Sequence, residues 1–305
     1  MEQIRTANQY YWMPVTLNFV MAALFVGLLN LGINGALLSV LFSTALIFGI
    51  SIRKLSQQFS IRLKYHPVIL KSLAGKGVLY ALAFVMLQLN YKVDILLLQK
   101  MAAPDQVGFY SLGVSVTEQL WLLSYAMGVV LMSRTANADD KRQMAATTAL
   151  LLRTAVPAAL LGALVLVFAV PFLLPVIFGK EYIPSIQVVQ TIVPGIVIFM
   201  IYRITESYFA GLGKPLISVI MLIPALVLNV VLNLWWIPLY GITGAAWATN
   251  VSYTLATLLL VIFFHRYSGL GPLAIFIPRA SDINRIRNIR RRRKADSIPD
   301  FPEPR

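Results

Sequence analysis

Hydrophobic residues fill most of this chain in long blocks, separated by short turns that are polar or rich in glycine and proline. Eight blocks approach or exceed the roughly 20 mostly apolar residues that a helix needs to cross about 30 Å of hydrocarbon. They cover about 12–31, 33–52, 77–99, 108–132, 148–178, 186–212, 215–237 and 242–265. The alternating segments of about 10 residues that mark a membrane β-barrel are absent. The pattern predicts an all-α, polytopic transmembrane helix bundle of about eight spans. The opening MEQIRTANQ is polar and leads into a full-length apolar block without a small-residue cleavage site, which predicts a retained first helix and not a cleaved signal.

Composition agrees. Of the 305 residues, 58% are hydrophobic and 12% charged, against roughly 45–50% and 25% in soluble domains. There is no cysteine, so disulfides, thiol nucleophiles and thiolate metal sites are excluded. The two histidines, His66 and His265, lie at block borders, and no metal site is expected.

The 26 lysines and arginines divide unevenly between the two sides of the bundle. With the N-terminus inside, the inner loops hold Arg5, then Arg53, Lys54, Arg62, Lys64, Lys71 and Lys76, then Arg134, Lys141 and Arg142, then Lys214, and ten more fall from Arg266 to the end. The outer side holds Lys100 and Lys180. Cytoplasmic loops carry such an excess, so both termini are placed in the cytoplasm of a cell inner (plasma) membrane. The net charge of +14 is then a consequence of topology, and no nucleic-acid partner is expected, because aromatic-interleaved basic residues on a soluble domain are missing.

These features divide the chain into residues 1–52 with two spans, a basic amphipathic linker at 53–76 suited to the headgroup zone, six spans in 77–266, and a basic, proline-containing tail at 267–305 expected to be disordered. The tail's RIRNIRRRRK run at 285–294 would face anionic lipids.

A weak internal repeat relates LNLGINGALLSVLFSTALIFGI (29–50) to IPLYGITGAAWATNVSYTLATLLL (237–260). Gly32 aligns with Gly241, Ile33 with Ile242, Gly35 with Gly244 and Ala36 with Ala245, and Leu17-Asn18 echoes Leu228-Asn229. Many transporters are built from such repeats. Three further stretches, YKVDILLLQKMAAPDQVGFYSLGVSVTEQLWLL (91–123), VIFGKEYIPSIQVVQTIVPGI (176–196) and GLGKPLISVIMLIPALVLNVVLNLWWIPLYGITGAAWAT (211–249), carry an ordered series. It runs from an Asp within a helix through V-G-x-Y, FGxxY and G-x-G-K-P to two asparagines and a closing G-I-x-G-A. By this series the chain resembles the polysaccharide-repeat-unit flippases, the lipid-linked oligosaccharide branch of the superfamily that also holds the MATE multidrug exporters.

The resemblance implies a complete six-helix C-terminal lobe preceded by the last two helices of an N-terminal lobe, with the first four helices of the usual twelve lacking. It implies a polyprenyl-diphosphate-linked oligosaccharide as substrate, flipped across the membrane by alternating access for surface polysaccharide biosynthesis. It also implies no cofactor, with coupling to H⁺ or Na⁺, and a partner chain supplying the missing helices. A MATE-type drug/cation antiporter and a truncated, non-transporting subunit are the alternatives. A membrane enzyme is disfavoured: no loop between spans exceeds about 25 residues, no D-x-D pair is present to hold a metal-bound nucleotide sugar, and no histidine lies mid-span.

Charges within spans are costly, about 2.5–3.5 kcal/mol each on insertion scales, and so are candidate site residues. Lys92 and Asp94 are two apart and point to different sides of a helix, so they cannot simply neutralise each other. Lys92 is expected to snorkel; Asp94 is expected to face a cavity, where it would bind H⁺, Na⁺ or a basic partner. Glu118 falls mid-span, where it would load and release a proton or act structurally as a neutral acid. Arg203 and Glu206, three apart, can pair directly. Arg203 could instead be a cavity cation for diphosphate oxygens, and Arg153 near an inner end is expected to snorkel. Pro157, Pro171, Pro175, Pro194 and Pro224 permit kinks. The charges together predict a hydrated interior that admits the sugar-diphosphate head while the lipid tail stays outside.

Overall fold

A computed structural model of the chain describes residues 13–58, 66–271 and 275–277. Every regular element among them is helical. The order is α1 (Met13–Leu28), ending in a π-helical turn over Ala23–Leu28, then α2 (Gly32–Gln58), α3 (Pro67–Met101), α4 (Pro104–Glu118), α5 (Trp121–Ala136), α6 (Lys141–Phe178), α7 (Pro184–Gly211) and α8 (Pro215–Ser268). Five of these, α2, α3, α6, α7 and α8, are long and apolar enough to cross a bilayer, and α4 with α5 makes a sixth, bent by 49°.

α8 accounts for two of the eight expected spans. Its 54 residues would reach about 80 Å if straight, far beyond the roughly 30 Å of hydrocarbon. Gly241, at φ 58° and ψ −137°, leaves the helical conformation and divides it into two arms. The arms fold back on each other: the Ser252 hydroxyl donates to the Ala225 carbonyl at 2.9 Å, and a Cβ on Gly244 would collide with the Trp236 carbonyl oxygen. The large exposed side chains fit lipid and not water, Val176 being 84% and Phe172 75% exposed. The chain is a multi-pass membrane protein.

Two compact units, Met1–Leu70 and Lys71–Arg305, divide the chain. In the first, α1 and α2 form a hairpin through Asn30 and Gly32, both at positive φ. The Ser39 hydroxyl donates to Asn18 Oδ1 at 2.9 Å, Phe25 and Phe42 meet edge to face at 5.7 Å, and a Cβ on Gly35 would come 2.9 Å from the Phe25 carbonyl oxygen. The repeat seen in the sequence is therefore real in geometry. Gly32 and Gly241 both take the left-handed turn, and Gly35 and Gly244 both admit a preceding helix's carbonyl.

In the second unit α7 is the central post, packed against α4, α5, α6 and α8. Side chains from its neighbours reach its backbone: the Trp121 indole N–H donates to the Ile196 carbonyl at 3.3 Å, and the Asn250 amide grips the Thr191 carbonyl at 2.6 Å and the Gly195 N–H at 2.9 Å. Residues 53–58 continue α2 and 67–76 begin α3. Residues 59–65 of the linker lie outside the described residues, as does the basic run at 285–294. The expected interfacial helix and disordered tail rest on those segments.

Candidate functional site

Two polar clusters sit on α3, separated by the turn of the helix. On one side Asp94 is 3% exposed. Its Oδ2 accepts hydrogen bonds from the Tyr110 hydroxyl of α4 at 2.7 Å and from the Thr249 hydroxyl of α8 at 2.6 Å. The Thr249 hydroxyl also lies 3.0 Å from the Ala245 carbonyl, and it has one proton for two acceptors. Asp94 Oδ1 is buried with no hydrogen-bond partner, and the same holds for both amide atoms of Asn90, for Asn229 Nδ2 and for Asn233 Oδ1. Asn90 is one turn before Asp94 on the same face of α3. Asn229 belongs to the first arm of α8 near the level of Thr249 on the second, as the Ala225–Ser252 and Trp236–Gly244 contacts require. Asp94 is thus closed off from the surface and joins α3, α4 and α8 through its hydrogen bonds. An ionised carboxylate this deeply buried needs a counter-charge, and the side-chain hydrogen bonds to it come from two hydroxyls.

On the other side of α3, Lys92 Nζ lies 3.9 Å from Glu118 Oε1, with the two side chains 49% and 25% exposed. Lys92 therefore meets an acid across the helix pair and does not simply snorkel. Glu118 is the last residue of α4, at the 49° bend before α5. Neither proline nor glycine makes this bend. Thr117 donates its hydroxyl to the Gly113 and Val114 carbonyls and Gln119 its amide to the Ser115 carbonyl, so side chains compete with the backbone just where the helix ends.

Arg203 completes the second cluster. Its Nη1 donates to the Tyr91 hydroxyl at 2.7 Å, and its guanidinium carbon lies 5.1 Å from the Trp121 ring centre and 5.8 Å from that of Tyr91. The expected direct pairing of Arg203 with Glu206 is not what holds the guanidinium: the ion pair found among the described residues is Lys92–Glu118. Tyr91 reaches over from α3 and takes the forward-pointing N–H, while Glu206 and Glu118 remain within electrostatic reach of Arg203. Arg203 Nε is buried without a partner. Arg153, expected to snorkel, is buried at 7% exposure.

An aromatic box supports the guanidinium. Tyr91 and Trp121 lie 5.0 Å apart, Phe199 stacks on Tyr253 at 4.2 Å and on Tyr202 at 4.7 Å, and Trp121 contacts both Phe199 and Tyr253. The structure thus brings Lys92, Glu118, Arg203 and Glu206 together around Tyr91 and Trp121, with Asp94 hydrogen-bonded to Tyr110 and Thr249 on another side of α3. Sequence reasoning missed the aromatic supports, Thr249 and Asn90, and it noted Tyr110, Asn229 and Asn233 in the family series without giving them a place in the site. The i, i+4 spacings of Asn90 with Asp94 and of Asn229 with Asn233 were the available signals. Among the described residues no group of His, Cys, Asp and Glu has metal-site geometry.

No family model and no curated protein matches the sequence. The fold is matched by solved transporters. The lipid II flippase MurJ in an inward closed conformation superposes with a TM-score of 0.64 at 15% identity, over 98% of this chain and 64% of that one. A point mutant of the Vibrio cholerae MATE transporter VcmN gives 0.63 at 17% identity, over 87% and 63%. An outward-facing multidrug resistance MATE family transporter of the MOP superfamily gives 0.52 at 18% identity, over 67% and 47%. The chain shares their helical fold and spans less than two thirds of the length of each.

Proposed function

We propose that this protein is an ion-coupled membrane flippase component that moves a polyprenyl-diphosphate-linked oligosaccharide from the inner to the outer leaflet of the cytoplasmic membrane, by alternating access and with both termini inside. The observation that carries the reading is Arg203, an arginine within a span, seated on Trp121 and Tyr91 beside the partly exposed Lys92–Glu118 pair. Guanidinium binds phosphate oxygens in a two-pronged, charge-assisted way. At 3.9 Å, with the Lys92 side chain half exposed, Lys92 and Glu118 are a weak pair, so an arriving diphosphate can take Lys92 from Glu118 at little cost. Glu118 and Glu206 then oppose a second anion, which favours release once the site opens to the other side.

Asp94 supplies the coupling in this reading. A carboxylate sealed without an ion-pair partner is neutralised by what enters with it, and the unpaired Asp94 Oδ1 beside the Thr249 hydroxyl offers oxygen to Na⁺ or a place for a proton. Filling that contact tightens α3 on α8 and emptying it loosens them. The rest of the passage needs helices beyond those described, since the chain spans less than two thirds of the transporters it matches.

The MATE-like matches and the two carboxyls beside the aromatic box favour one second reading, a drug/cation antiporter. Proteoliposomes containing the assembled transporter separate the two. The flippase reading expects translocation of lipid-linked oligosaccharide that Arg203→Gln abolishes and Arg203→Lys partly keeps. Efflux of a cationic dye that survives Arg203→Gln and fails in Glu118→Gln would replace it with the antiporter.

A further inference from the structure

Away from both clusters, a cavity of about 280 Å³ lies between α5 and α6. Met127, Val130, Leu131 and Leu151 form its walls, and Arg134 and Thr147 lie at one end. By register that end is the α5–α6 turn: Arg134 is in the last turn of α5 and Thr147 in the second turn of α6. The Thr147 hydroxyl is committed to the Gln143 carbonyl. The Arg134 guanidinium is exposed, with no hydrogen bond or ion pair among the described residues. The loop charges place this turn on the cytoplasmic side.

We infer that this groove holds one acyl chain of an anionic phospholipid from the inner leaflet, with its phosphate on Arg134. Size selects the chain. The walls run along about 12 Å of α5 from residue 126 to 134, an apolar track that suits an extended acyl chain.

Charge selects the head. A basic residue near an anionic surface gives about a fivefold preference over a zwitterionic head, and no described residue competes for Arg134. Of the nearby acids, Asp140 accepts the Gln143 N–H at the start of α6 at 3.2 Å, and Asp139 is half-buried or more exposed in the turn. The site is distinct from the basic tail, and it holds whether or not the protein flips lipid.

A phosphatidylglycerol carrying a photoreactive group midway along one acyl chain tests this in vesicles containing the full-length protein. Label mapped by peptide mass spectrometry is expected on α5 and α6 between residues 126 and 151, about fivefold above that from the matching phosphatidylcholine probe. Arg134→Gln should erase the headgroup preference, Arg134→Lys should keep it, and Val130→Trp, which fills the groove from an exposed position, should remove the label. An unchanged melting temperature in each variant separates loss of the site from loss of the fold. Label spread evenly over the lipid-facing helices, or a preference unaltered by Arg134→Gln, overturns the inference.

Discussion

The joint between Asn250 and α7 lends itself to a quantitative test. In a regular helix the Gly195 N–H would bond to the Thr191 carbonyl. Here the Asn250 side-chain amide is inserted between them, donating to Thr191 at 2.6 Å and accepting from Gly195 at 2.9 Å. Pro194 explains the opening, since it brings no N–H and its ring presses on the preceding turn, and a neighbouring side chain re-satisfies what is freed. Gly195 is required because a Cβ there would collide with Asn250 Oδ1 and stand 2.9 Å from Asn250 Cα. Interhelical hydrogen bonds in membranes contribute about 0.6–1.7 kcal/mol each, so Asn250→Ala, which removes two, should cost about 1–3 kcal/mol. Gly195→Ala expels the amide and adds overpacking of about 1–3 kcal/mol, for about 2–6 kcal/mol in all. At roughly 2–4 °C per kcal/mol for large domains, thermal unfolding in detergent should show Asn250→Ala lower by about 2–12 °C and Gly195→Ala lower still. In the double variant the Oδ1 clash is gone, so the costs should fall short of additive by about 1 kcal/mol or more. Wild-type melting in both single variants, or strict additivity, would refute the inserted-amide account.

Other outcomes follow from the same geometry. If Na⁺ is the coupling ion, it should raise the melting temperature of the wild type as RT ln(1 + [Na⁺]/Kd) and leave Asp94→Asn unmoved; an equal rise in both variants removes Asp94 from the ion site. Gly244→Ala should be among the most damaging glycine changes, because its Cβ would run into the Trp236 carbonyl, whereas Gly108→Ala, which meets nothing within 4 Å, should melt within about 1–2 °C of wild type, as ordinary surface changes do. Trp121→Leu should weaken binding of the phosphate ligand by removing the face beneath Arg203, a contact of about 0.5–2 kcal/mol or roughly 2- to 30-fold, with a direct titration as the readout.

The architecture was legible because hydrocarbon imposes one requirement on every span, and length plus hydropathy reads it directly. The repeat was legible too, since left-handed turns and close helix approach demand glycine at Gly32, Gly241, Gly35 and Gly244. The bend at Glu118 was not, because it arises from hydroxyl and amide side chains that any helix surface can carry. The partners of the charges were harder still. That Lys92 and Asp94 diverge follows from helical periodicity, but the choice of Tyr91 over Glu206 for Arg203 depends on how α3 lies on α7, which no local pattern encodes. Asp94 shows the limit most plainly: its depth could be counted along the span, whereas its closure by Tyr110 and Thr249 needed two further helices in place.

The central claim is that Arg203 and its neighbours recognise phosphate. Calorimetric titration of the assembled protein with a short-chain polyprenyl-diphosphate oligosaccharide, beside the same glycan on the corresponding alcohol, tests it most directly. Loss of a charged hydrogen-bonded contact of about 1.5–3 kcal/mol predicts that Arg203→Gln binds the diphosphate roughly 10- to 150-fold more weakly while the phosphate-free glycolipid is unaffected. Equal affinity of wild type and Arg203→Gln for the diphosphate would contradict the account.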